Sequence, residues 1–281
     1  MSHISFNTVV HPDAEAVARQ NKDLGPSRKD IRSGVRAHLD DCFRCEKKAS
    51  AETQLRKCSG CLIVRYCSKQ CQLADWPTHK AACSDRGSAD HLKLTKRLLA
   101  NDILMYHLQL YAILELDLVD RPANALDHCL YVAVDTEMPA DPMGHLQASL
   151  KGQVNPDPTY ILWVRHIEKK PIVEHASSAA RDSHRAFKAS LSATGMSDWP
   201  VVLLVFTSDN LVILEIPYAI DPRPMQHCRE KRPSTYVSGI SGRVELPLSK
   251  ETVREDLNNC ILMDKSNQYL LRTKLKHNSS F

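Results

Sequence analysis

The chain has 281 residues, 43% of them apolar, 6% aromatic and 25% charged, which is the composition of a globular protein able to bury a sizeable core and excludes a disordered tail. The formal net charge of +4 is small for this length, and the start, MSHISFNTVVHPDAEAV, does not join a basic stretch to an apolar run of the length a signal peptide needs. The longest apolar runs, Val201 to Phe206 and Leu211 to Leu214, are too short to span a bilayer and suit buried strands. An intracellular protein, nuclear or cytoplasmic, is expected. There ten Cys, seven of them within residues 42–83, argue for metal and against disulfides.

Residues 1–41 read as an N-terminal extension, loosely held. Asp13 to Lys22 suits a short helix, GPS at 25–27 breaks it, and Arg28 to Leu39 again has helical character. The Cys-rich stretch follows, with four ligand pairs: Cys42 and Cys45, Cys58 and Cys61, Cys67 and Cys71, and His79 with Cys83. A C-x-x-C turn brings two thiolates to one tetrahedral ion, and residues four apart on a helix share a face and can do the same. Asp75 is expected to cap a short helix carrying His79 and Cys83, and Cys67 to open another. Eight ligands imply two structural Zn²⁺ sites, one of four thiolates and one of three thiolates and an imidazole, both closed to water. Spacing alone leaves open whether the pairs join in sequence order or alternate. Residues 42–83 carry eight basic and three acidic residues. Seven thiolates and two Zn²⁺ bring the local +5 down to about +2, too little for an electrostatic case for nucleic acid binding.

The segment CFRCEKKASAETQLRKCSGCLIVRYCSKQCQLADWPTHKAAC resembles the MYND-type zinc finger in its ligand order, the YC before the fifth ligand, the CQ at the sixth, and the DW and HK. A RING finger places its His in the middle of the eight ligands, and a HIT-type finger fits the Trp and HK less well. The likeness covers residues 42–83. It implies interleaved sites, with Cys42, Cys45, Cys67 and Cys71 on one zinc and Cys58, Cys61, His79 and Cys83 on the other. It also implies binding of proline-rich peptides, often from transcriptional co-regulators, along a small hairpin. The matching contact positions are Gln72 and Trp76, with Arg65 and Val64 as the strand edge. Read without the likeness, Trp76 is a packing residue and Gln72 a solvated one.

After Cys83, SDRGS reads as a short linker, and residues 84–120 as that linker followed by one long amphipathic helix, His91 to Leu116, with Leu98, Leu99, Ile103, Leu104, Leu108 and Tyr111 at helical intervals. From 121 to 281 the pattern changes. Leu130 to Val134, Tyr160 to Ile167, Val201 to Phe206 and Leu211 to Ile216 read as strands, the last two joined by a TSDN hairpin. His175 to Leu191 and Ser249 to Met263 read as helices, the latter capped by Ser249. The fold class expected is a small zinc-stapled α/β finger followed by an α+β domain with a mixed sheet.

Chemistry is sparse in this larger part. With nine Gly in the chain there is no phosphate-binding loop, no G-x-S-x-G elbow and no H-E-x-x-H. His166, His175 and His184 recur at intervals that suit no ligand pair. Cys129, Cys228 and Cys260 read as small buried hydrophobes. Asp135 and Glu137 read as a solvated strand edge without a partner, and CREKRP at 228–233 as a charged loop. No catalytic residue is assigned. The expected function is a zinc-binding protein–protein interaction module, an adaptor or regulatory protein that recognises a proline-rich partner and does not bind membrane. The alternative is an enzyme of the lysine methyltransferase group that carries a MYND finger inside a SET domain. Its Asn-His-x-Cys-like segment is missing, since Asn258 to Cys260 lacks the His, and residues 1–41 are too short for the preceding SET half.

Overall fold

The computed structural model describes residues 25–38, 41–45, 47–50, 52–61, 64–84, 86–138, 159–238 and 242–274. The helix expected at Asp13 to Lys22 lies outside them. Helix α1 (Arg28–His38) is held more firmly than the sequence suggested. Ile31 is fully buried, and the Arg28 guanidinium donates to the Asn267 carbonyl at 3.1 Å, fastening the start of the described chain to its end.

The finger consists of two two-residue strands and one helix. Strands β1 (Arg56–Lys57) and β2 (Arg65–Tyr66) pair antiparallel, and α2 (Lys69–Ser84) follows. Two short helices were expected here, with Asp75 as a cap, and there is one of 16 residues. The cap is Ser68, whose Oγ accepts the Cys71 N–H at 3.1 Å. Asp75 lies buried inside the helix, and the helix also contains the exposed Pro77, which has no N–H to donate to the preceding turn. Ligand residues flank that proline on both sides, Cys71 before it in one group and His79 and Cys83 after it in the other.

The single long helix expected over 91–116 is also two, α3 (Arg86–Leu99) and α4 (Asp102–Glu115). Asn101 causes the break: its side chain accepts from the N–H groups of Ile103 and Leu104, starting a new helix. Apolar spacing persists across the break, so periodicity alone could not reveal it.

A short helix, α5 (Asn124–Asp127), leads into β3 (His128–Glu137) and β4 (Thr159–Pro171). Helices α6 (Ile172–His175) and α7 (Ser178–Ala193) precede β5 (Val201–Ser208) and β6 (Leu211–Ala219). Helix α8 (Pro222–Arg229), the hairpin β7 (Ser234–Ser238) and β8 (Gly242–Leu246), α9 (Lys250–Met263) and β9 (Arg272–Lys274) complete the order. Strands β6, β5, β3, β4 and β9 form one mixed sheet in that order, parallel at β3/β5 and antiparallel elsewhere. All four strands read from sequence are present, and Ser249 caps α9 by accepting the Thr252 N–H. At the β5–β6 turn Asp209 and Asn210 both have positive φ, 49° and 63°, the conformation that matches a two-residue hairpin to the strand twist.

Burial on both faces explains the unbroken apolar run of β5. Val202, Leu204 and Phe206 join Leu130, Val132 and Val134 in the main core, while Leu203 and Val205 meet Cys129, Ile172 and Ala180 on the other side. The main core is continuous with Val64 and Tyr66 of the finger. The outer edge of β4 is closed by side chains: the Asn258 amide donates to the Val164 carbonyl at 2.9 Å and accepts its N–H at 3.0 Å, as a neighbouring strand would.

Candidate metal centres and interaction surface

The hairpin and α2 bring the eight predicted ligands into two groups, Cys42, Cys45, Cys67 and Cys71, and Cys58, Cys61, His79 and Cys83. The pairs therefore alternate. Main-chain bonds set this up: the Cys42 N–H donates to the Lys47 carbonyl, Phe43 to Arg65, and Cys58 to Val64, each at 2.8 to 2.9 Å. In the first group the sulfurs of Cys45, Cys67 and Cys71 stand 3.6 to 3.8 Å apart. In the second, Cys58 and Cys83 are 3.6 Å apart, and Cys61 Sγ is 3.5 Å from His79 Nε2. Four donors about 2.3 Å (sulfur) and about 2.0 Å (nitrogen) from one tetrahedral ion must be separated by about 3.8 Å (S···S) and about 3.5 Å (S···N). Sulfurs joined as a disulfide would be only about 2 Å apart. The donor sets therefore fit two structural Zn²⁺, and each ion finds four protein ligands with no position left for a reacting water.

The electrostatics agree. The Cys67 thiol is pushed up to about 12 by the sulfurs of Cys45 and Cys71, and Cys83 to about 12 by burial and by Cys58 and Cys61. Cys42 is drawn down to about 7: burial opposes its ionisation, but main-chain N–H groups of Cys67, Cys45 and Arg44 outweigh it. Thiols packed this closely cannot all ionise beside one another without a cation to balance them.

Around the ligands lie residues the sequence reading passed over. Tyr66 donates its phenol to the buried Asp75 carboxylate at 2.6 Å, joining β2 to α2, and burial together with that carboxylate pushes its pKa far up. Gly60 leaves room for a ligand, since a Cβ there would stand 2.6 Å from the Cys83 sulfur. The glycine of CSGC was the available signal for this contact.

The peptide-contact candidates fall in different surroundings. Trp76 is exposed on the outer face of α2, its ring edge-on to His79 at 6.2 Å, and Leu73 is 62% exposed one turn before it. Gln72 is half-buried, and its amide nitrogen lies 3.9 Å from the Cys58 sulfur, so it faces the second metal group. Arg65 pairs with Lys57 on one side and its carbonyl accepts the Phe43 N–H on the other. Its main chain is thus already engaged on both sides, and the outer strand of the hairpin is β1.

In the sheet domain, Asp135 and Glu137 do have a partner. The Arg165 guanidinium contacts Asp135 at 2.8 Å and Glu137 at 3.4 Å, beside a hollow of about 310 Å³. His91 of α3 is buried next to them, between Ser208 Oγ, Thr136 Oγ1 at 3.2 Å and Asp135 at 3.6 Å, and so ties α3 to the ends of β3 and β5. His166, His175 and His184 lie apart: His166 is near Glu168, His175 near Tyr131, and His184 is buried with Nε2 against the Val201 carbonyl. Burial pushes Cys129 and Cys228 to about 11 and Cys260 to about 12, so none offers a ready thiolate. Among the described residues the two finger groups are the metal-binding clusters, and no helix is long and apolar enough to cross a membrane.

These two closed zinc sites on a hairpin and helix define a MYND-type finger, and residues 42–83 match the family described as MYND finger. From residue 86, where α3 begins, to residue 280, the chain matches the family described as Domain of unknown function (DUF8205), to which it belongs. Among similar proteins, the Zinc finger MYND domain-containing protein 10 homolog of Drosophila melanogaster is 43% identical over 56 residues, 20% of this chain and 11% of that protein. SET domain and MYND-type zinc finger protein 6 of Schizosaccharomyces pombe is 39% identical over 72 residues, 24% of this chain and 14% of its own. Histone-lysine N-methyltransferase ASHR1 of Arabidopsis thaliana is 23% identical over 174 residues, 60% of this chain and 33% of its own. The chain thus spans between about a tenth and a third of these relatives. No solved structure matches.

Proposed function

We propose that the protein is an intracellular adaptor or regulatory protein whose finger docks a proline-rich segment of a partner, and that zinc serves only to shape the finger. The observation that carries this reading is Trp76: an indole 44% exposed on a metal-fixed helix. An exposed aromatic on a rigid support is a low-entropy platform for proline rings. The Gln72 amide, turned to Cys58, supports the platform by holding the second metal group, and Arg65 contributes its side chain at the rim of the hairpin.

A proline-rich peptide array probed with zinc-loaded protein, beside Trp76→Ala protein that retains two zinc ions, tests the reading. Binding by the parent and its loss in the variant are expected. Absence of binding by the parent, or binding indifferent to the change, would overturn it. The SET-containing relatives favour a second reading, lysine methyl transfer, for which saturable binding of S-adenosylmethionine is the discriminating result. A role in transcription regulation fits a nuclear adaptor and goes with the first reading.

A further inference from the structure

Four exposed residues of α2, Lys69, Leu73, Trp76 and Lys80, follow one another at intervals of four, three and four. That spacing sets them on one stripe along the helix, an apolar pair bracketed by two ammonium groups. None of the four is a metal ligand: the stripe borders the face that carries Cys71, His79 and Cys83, where His79 and Cys83 are buried, Trp76 stands edge-on to His79 and Asp75 is bonded to Tyr66. Charge over the rest of the finger has the same sign. Every other Lys and Arg of residues 42–83 is exposed except the half-buried Arg65. Among the described acidic residues there, Asp75 is buried and only Glu52 is exposed, already accepting a bond from Ser50.

We propose that this stripe docks a partner segment with an apolar, proline-containing centre and carboxylates on both flanks, a proposal that rests on the peptide-docking reading of the finger and adds the partner's charge. Leu73 and Trp76 take the apolar centre out of water, and Lys69 and Lys80 meet the acidic flanks about 16 Å apart along the axis, at a rise of about 1.5 Å per residue. A peptide of five or so extended residues covers that distance at about 3.3 Å each. Nucleic acid is the poorer occupant, since a phosphate backbone would leave the Leu73 and Trp76 pair against water. A lipid surface would need more than two apolar residues on the face.

The test uses the full-length, zinc-loaded protein and two labelled peptides with the same Pro-Pro-Leu centre, one flanked by Asp and Glu and the other by Asn and Gln. At low salt the acidic peptide is expected to bind about five-fold more tightly, a preference that shrinks as salt is raised. Lys69→Glu/Lys80→Glu protein, confirmed to hold two zinc ions, should lose the preference while still binding the neutral peptide, and Leu73→Ser protein should bind both more weakly. Equal affinities for the two peptides, or a preference unchanged by charge reversal, would overturn the charge proposal and leave the peptide-docking reading standing. Failure of both peptides to bind would overturn both. Duplex DNA or anionic vesicles binding more tightly than the acidic peptide through the same lysines would reassign the stripe.

Discussion

The finger and the sheet domain reach order by different means while sharing one apolar core. In the sheet, β5 is buried on both faces, and each position from Val201 to Phe206 packs against a neighbouring strand or helix. In the finger, strands of two residues each bury little, and eight metal ligands take the place of an interior. The comparison shows why a chain can present exposed Leu73 and Trp76 without collapsing around them: metal fixes the backbone, so those side chains need not be used for packing. It also predicts that damage to each region reads out differently.

The sharpest break should come from His79→Ala. It removes the imidazole of the second group and leaves three thiolates around a gap, so zinc content should fall from two ions toward one and residues 42–83 should become protease-sensitive. Metal analysis and limited proteolysis check this, with the strand signal in circular dichroism retained. Leu204→Ala, in the main core, should lower the unfolding free energy by about 2–5 kcal/mol while zinc content stays at two, as measured by denaturant titration. Asn258→Ala would strip the cover from the β4 edge and leave the Val164 N–H and C=O without their partners; a loss of about 1–3 kcal/mol is expected, with faster exchange of the Val164 amide. Asn101→Ala should have the smallest effect, about 1 kcal/mol, because it removes only the cap of α4.

Much of this division was legible in the residues. Ligand spacing gave both zinc sites, and the likeness to a known finger gave their alternation, since spacing leaves the pairing open. The strands were visible because β-branched runs such as VVLLVF are too short for helices that pack and too apolar for loops. Three features were hidden. Asn101 interrupts a helix whose apolar spacing continues unbroken, so only the residue's capping chemistry marked the break. Asp75 has the right chemistry for a cap, yet its carboxylate is taken by Tyr66, nine residues earlier in sequence, and a tertiary partner cannot be read from local pattern. Arg165 was hidden as the partner of Asp135 and Glu137 for the same reason, since strand register brings them together.

Hydrogen exchange of the full-length protein with and without a zinc chelator tests the central claim most directly. The account predicts that chelation strips protection from the amides of Cys42, Phe43, Cys58 and α2, while those of β3 and β5 exchange as slowly as before. Protection lost equally from β3 and β5, or kept throughout the finger after both ions are gone, would contradict it.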